Sequence, residues 1–137
     1  MKRFTLAAIC LVVIACFTST TAFAGSPHFV GACVATRSGN TLTVSGKEAG
    51  LGDESQINVV ISATALCING GGNHPKATNK TSVSAAGTFP VQNGKALFSL
   101  DATATFSPSC NPPMTVSFVD ITVTDQTNSI TCTVSGP

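Results

Sequence analysis

The sequence contains no Trp and no Tyr, and charged residues make up only 9% of it. Sandwich modules that bind sugars usually present Trp or Tyr faces, so their absence disfavours sugar binding. The sequence has seven basic and six acidic side chains. Two of the basic ones, Lys2 and Arg3, lie at the N-terminus, which leaves five basic side chains and six acidic ones in the rest of the chain. This near-neutral balance offers no basic footprint for nucleic acid or for an anionic membrane surface.

The N-terminal segment has the pattern of a secretory signal peptide. Lys2 and Arg3 precede an apolar run that ends at Phe17, and Ala22 and Ala24 supply small side chains before a cut ahead of Gly25. The apolar run is shorter than the roughly 20 residues of a transmembrane helix, and no later segment is continuously apolar. We therefore expect a signal peptide over 1–24 and one secreted, extracellular domain over 25–137, without a transmembrane segment.

A second interpretation of the same segment is a lipid anchor. Val13-Ile14-Ala15-Cys16 is similar to a bacterial lipobox, in which the cysteine is acylated and holds the protein on a membrane. The two interpretations predict different N-termini, one at Gly25 and one at Cys16.

Period-two alternation of apolar and polar residues recurs along residues 25–137 and is typical of half-buried strands. In 56–67 the residues Ile57, Val59 and Ile61 share one face, and in 95–106 Phe98 and Leu100 do so. About seven such segments, separated by turn signals, predict an all-β fold, an immunoglobulin-like antiparallel β-sandwich. A small β-barrel is the alternative.

Turn and phase signals add local detail to this prediction. Asn93-Gly94 is the dipeptide favoured in two-residue type I′ turns and predicts a hairpin, and a second hairpin is expected around residues 37–40. In 114–125 the apolar phase changes between Phe118 and Val119, which predicts a β-bulge because one extra residue restores the inward orientation.

Loss of the signal peptide leaves four cysteines, an even number that predicts two disulfides in an exported chain. If the third and sixth strands are antiparallel neighbours, the end of one lies beside the start of the other, which pairs Cys67 with Cys110. First and last strands of sandwiches often lie close together, which pairs Cys33 with Cys132. Both bridges are therefore expected.

The most varied chemistry lies in the stretch CINGGGNHPKATNK, from Cys67 to Lys80. It lacks the Gly-Lys-Ser/Thr of a Walker loop, but consecutive glycine amides are able to form an anion-binding nest. The alternative is a glycine-rich connection between two strands. We take it as a possible binding loop with the residues Asn69, Gly70, Gly71, Gly72, Asn73 and His74.

Other polar residues do not combine into a recognisable site. Pro27 precedes His28 and lacks the amide that an N-terminal copper motif needs, and the carboxylates Glu48, Asp53 and Asp120 do not follow an EF-hand spacing. The segment around Glu48 and Asp53 is expected to be a solvated loop. No Gly-x-Ser-x-Gly elbow is present, so we expect no catalytic residues, no metal and no cofactor.

Three segments resemble a group of small exported bacterial proteins, frequent in actinobacteria, that have no assigned function. They are GSPHF, KEAGLGDE and CINGGGNHPKATNK. The resemblance spans most of residues 25–137 and implies export and a compact β domain, but it supplies no functional residues.

These patterns predict a secreted, monomeric, non-enzymatic binding module with an unidentified extracellular or cell-surface partner. The loop at 69–74 is its expected contact surface, because loops on rigid strands often carry recognition. Two alternatives remain: a protein that binds a metal or an anion through His74 and the glycine amides, and an envelope protein anchored through Cys16.

Overall fold

The computed structural model describes residues 25–70 and 79–137. Within these ranges the chain forms β-strands and no helix, so none of this part contains a helix able to cross a membrane. The strands are β1 (His28–Phe29), β2 (Val34–Ser38), β3 (Thr41–Ala49), β4 (Gln56–Ile68), β5 (Lys80–Pro90), β6 (Lys95–Thr103), β7 (Thr115–Asp125) and β8 (Ile130–Val134).

The strands form two antiparallel sheets, which confirms the predicted all-β sandwich over the barrel. In the first sheet β6 pairs with β3 along residues 41–49, while β1 and β2 share the other edge of β3, at residues 48–49 and 41–45. The second sheet has the order β5-β4-β7-β8. The predicted pairing of the 56–67 strand with the 114–125 strand is confirmed as β4 against β7.

The Asn93-Gly94 turn is present, but the hairpin predicted around it is wrong beyond one residue pair. Asn93 and Gly94 have φ of 52° and 70°, and Gln92 bridges to Lys95. The two strands then separate, with β5 pairing to β4 in one sheet and β6 to β3 in the other. This separation gives each strand a full-length neighbour and places their apolar faces on opposite sides of the core.

The β-bulge predicted near Phe118 in the strand over 114–125 is confirmed in β7, two residues further along. Ser62 pairs with Thr122 and Thr64 with Val119, so two residues of β7 oppose one residue of β4. Asp120, inside this irregularity, has a φ of 53°. The extra residue returns Ile121 and Val123 to the buried face, in phase with Phe118 and Val116 on the other side of the bulge.

The core lies between the sheets and is built from the inward positions of the alternating strands. Phe98 is central to it and has edge or tilted contacts with Phe29 and Phe89, each with ring centroids 6.1 Å apart. The largest fully buried side chains are Phe118, Leu42, Leu51, Ile57, Ile61, Ile121, Glu48, Val44, Val59, Val123 and Asp125. Two of these eleven are carboxylic acids.

Candidate functional site

The disulfide predicted between Cys67 and Cys110 is present, with Cα atoms 5.7 Å apart. Cys67 lies near the end of β4, and Cys110 precedes β7, so the bridge fixes the point at which the glycine-rich segment leaves the sheet. Asn69 and Gly70 are exposed. Gly71, Gly72, Asn73 and His74 belong to 71–78 and lie outside the described residues, so the binding loop stays a prediction.

The other residues considered for metal binding do not gather into a metal site within the described part of the chain. Asp53 and Asp120 are exposed. His28 lies in β1, where its Nδ1 is 2.7 Å from the Ser26 carbonyl oxygen. Residues 25–70 and 79–137 contain no group of three or more His, Cys, Asp or Glu side chains placed to hold a metal ion.

Glu48 departs most clearly from its prediction. We expected it in a solvated loop, whereas it lies in β3 with 0% of its surface exposed. The reason is the strand period, because Glu48 shares the inward parity of Leu42 and Val44. A charged residue type thus occupies a core position of an alternating strand.

The Glu48 side chain packs against Asp125, the last residue of β7, which is also fully buried. Asp125 is well supplied with donors: the Thr127 amide donates to Oδ1 at 2.8 Å, and Asn128 Nδ2 donates to Oδ2 at 2.7 Å. The same Asn128 nitrogen lies 3.0 Å from Glu54 Oε2. This polar end of the core therefore holds three carboxyl groups from three parts of the chain.

Glu48, by contrast, receives no hydrogen bond from the described part of the chain at either carboxyl oxygen. An ionised Glu48 would therefore be a buried charge without a donor, facing the Asp125 carboxylate. A protonated Glu48 is able to donate its proton to Asp125. Burial, followed by the charge and hydrogen bond of Asp125 and the charge of Glu54, raises the pKa of Glu48 to about 8.

Two thiols adjoin this acidic pair. Cys33 precedes β2 in the first sheet and is buried, while Cys132 lies in β8 of the second sheet and is partly exposed. Their side chains are neighbours, and the structure holds them as free thiols, without the second disulfide that we predicted. Burial, together with Cys132 and Glu48, raises the pKa of the Cys33 thiol to about 12.

Comparison with known proteins does not assign the chain to a family. No family model matches the chain, and no curated protein or solved structure is detectably similar to it.

The outer face of the first sheet carries a second feature, which the sequence did not single out. The exposed large hydrophobic residues of the described chain are Val30, Val34 and Leu97, with 43%, 55% and 71% of their surfaces exposed. Lys47 pairs with Leu97 across the sheet, and on its other side its carbonyl oxygen accepts the Val30 amide at 2.8 Å. Val34 pairs with Ser45, two residues along β3.

These three hydrophobic residues and Lys47 form what we call the apolar patch. Its residues point outward because their chain neighbours Phe29, Cys33, Glu48 and Phe98 pack into the core. A shallow hollow adjoins the patch at Leu97 and is lined by Lys47, Pro90, Gln92, Lys95, Ala96 and Leu97. The patch thus combines aliphatic surface with two nearby ammonium groups.

Proposed function

We propose that the chain is a secreted, non-enzymatic binding module that contacts an extracellular or cell-surface protein through the apolar patch. The observation that carries this proposal is the convergence of Val30, Val34 and Leu97 on one sheet face. Single exposed hydrophobic residues are common on soluble proteins, whereas contiguous ones bordered by polar residues mark interaction surfaces.

Charge complementarity favours a particular partner chemistry. Lys47 and Lys95 border the hollow beside Leu97, and neither ammonium group has an ion-pair partner within residues 25–70 and 79–137. A protein segment with an aliphatic side chain next to a carboxylate would cover Leu97 and place its negative charge between the lysines. We propose a partner surface of this kind.

Export is supported by the Cys67–Cys110 disulfide, because such bridges persist mainly in oxidising compartments. The strand order supports an immunoglobulin-like type of sandwich. With β1 and β2 taken together as the first strand, the first, second and fifth strands share one sheet and the third, sixth and seventh share the other, as in immunoglobulin domains. The fourth strand, β5, pairs with the third, which differs from the constant-domain arrangement.

The test compares the labelled wild-type protein, comprising residues 25–137, with a Leu97→Asp variant. Each is titrated onto intact cells of the producing organism and onto its secreted proteins. Because Leu97 is 71% exposed, the substitution should leave the fold intact. It places a carboxylate where we expect the partner's own, so we expect saturable binding that weakens at least about tenfold.

The matched control is Ala86→Asp, which adds the same charge at an exposed position of β5 in the second sheet. Binding by this variant should equal that of the wild type. Equal binding by the Leu97→Asp and wild-type proteins, equal loss in both variants, or no saturable binding to either preparation would each contradict the proposal.

A further inference from the structure

Cys33 and Cys132 come from different sheets and lie close together in the core. Cys33 immediately precedes β2 in the first sheet, and Cys132 faces inward from β8, where it pairs with the buried residue Val123. The two thiols are neighbours, Cys33 within the core and Cys132 packed against it. The described part of the chain thus contains one disulfide, Cys67–Cys110, and one pair of neighbouring free thiols, Cys33 and Cys132.

The two thiols differ in their surroundings. The Cys33 sulfur lies deep in the core, 3.3 Å from the position that a Cβ on Gly46 would occupy, and it is close to Glu48. Cys132 is partly exposed, with its sulfur 3.7 Å from the Thr133 carbonyl oxygen. A disulfide reagent from solvent therefore reaches Cys132 more easily than Cys33.

We propose that Cys33 and Cys132 form a reversible disulfide between the sheets, in which Cys132 exchanges first with a solvent disulfide and Cys33 resolves the intermediate. The proposal concerns a redox-active site and is independent of the binding function. It assigns the two cysteine pairs different roles, with Cys67–Cys110 as the permanent bridge.

The reaction needs an oxidant of the disulfide class, such as oxidised glutathione. The Cys132 thiolate attacks one sulfur of the oxidant, its S–S bond breaks, and one thiolate leaves. The Cys33 sulfur then attacks Cys132, the mixed disulfide breaks, and the second thiolate leaves as the Cys33–Cys132 bond forms. Two electrons pass to the oxidant, and the two departing thiolates take up the two protons that the cysteines lose.

The test is to equilibrate the folded wild-type protein in glutathione buffers that range from fully reduced to fully oxidised. Samples are quenched in acid, alkylated, digested and analysed by peptide mass. We expect Cys33 and Cys132 to carry alkyl labels in the reducing buffer and to be joined in the oxidising one, while Cys67–Cys110 stays joined. Free thiols in every buffer, or a closed bond in every buffer, would overturn the proposal.

The order of exchange is tested with Cys33→Ser and Cys132→Ser in oxidised glutathione. The first variant should accumulate glutathione on Cys132, and the second should label Cys33 at least about ten times more slowly, because buried thiols react slowly. Equal rates, or faster labelling of Cys33, would refute the assigned order. The wild-type measurement needs no substitution and decides reversibility even if a variant fails to fold.

Discussion

Replacing Glu48 by Gln should remove most of a pH dependence that the buried acid imposes on stability. The folded protein holds the Glu48 proton up to about pH 8, whereas the unfolded chain releases it near the usual value of 4.5. The folded state therefore binds more protons between these two values, and stability falls as the pH rises through this window. The glutamine side chain of the variant is neutral at every pH, and its amide is able to donate to Asp125 in place of the carboxyl proton.

The difference between a pKa of about 8 and one of 4.5 corresponds to about 5 kcal/mol of unfolding free energy. About 3 kcal/mol of this should already be lost at pH 7, where the unfolded chain has released the proton and the folded chain keeps it. These are large fractions of the roughly 5 to 15 kcal/mol typical of a domain. Glu48→Gln should therefore be close to wild type at pH 4 and clearly more stable at pH 9.

Urea unfolding at intervals from pH 4 to pH 9 measures this difference, with the wild type and the variant compared at each pH so that other titrating groups cancel. Asp53→Asn is the matched control, because Asp53 is an exposed acid whose substitution should give a difference that varies little with pH. A stability difference between Glu48→Gln and wild type that stays constant over the whole range would refute the argument that Glu48 is protonated in the fold.

Two further substitutions test the packing of the sandwich. Gly46→Ala places a Cβ 2.5 Å from Cζ of the buried Phe98 ring, so thermal unfolding should show a loss of about 1 to 3 kcal/mol; an unchanged melting temperature would show that the ring moves freely. Replacing both Cys67 and Cys110 by Ser opens a loop that the disulfide closes over a separation of 43 residues. The free energy of unfolding in urea should fall by about 4 kcal/mol. Coincident unfolding curves for the variant and the wild type would contradict this expectation.

Much of the fold could be predicted from local sequence, because strand alternation is a local property. The inward phase of β4, the Asn93-Gly94 turn and the phase change in β7 each depend on a few neighbouring residues, and each is present. The Cys67–Cys110 pairing required only one correct strand neighbour. Alternation also indicated that Glu48 and Asp125 are buried, since both share the parity of buried apolar residues in their strands.

That signal was insufficient because a charged residue type favours solvent, and only a partner from another strand makes its burial tolerable. Asp125 and its donors come from the other sheet and the turn that follows it, far along the chain from Glu48. The separation of β5 and β6 into different sheets likewise depended on competition among all strands for neighbours.

The sequence by itself thus determined strand phase, turn chemistry and the even set of cysteines, because these follow from residue type and spacing. Only the tertiary structure decided which side chains meet. It joined Val30, Val34 and Leu97 into one patch through the pairings of β3, and it brought Cys33, Cys132, Glu48 and Asp125 together between the sheets. Such contacts join residues distant along the chain, and the physical reason they form is the burial of the two apolar sheet faces against each other.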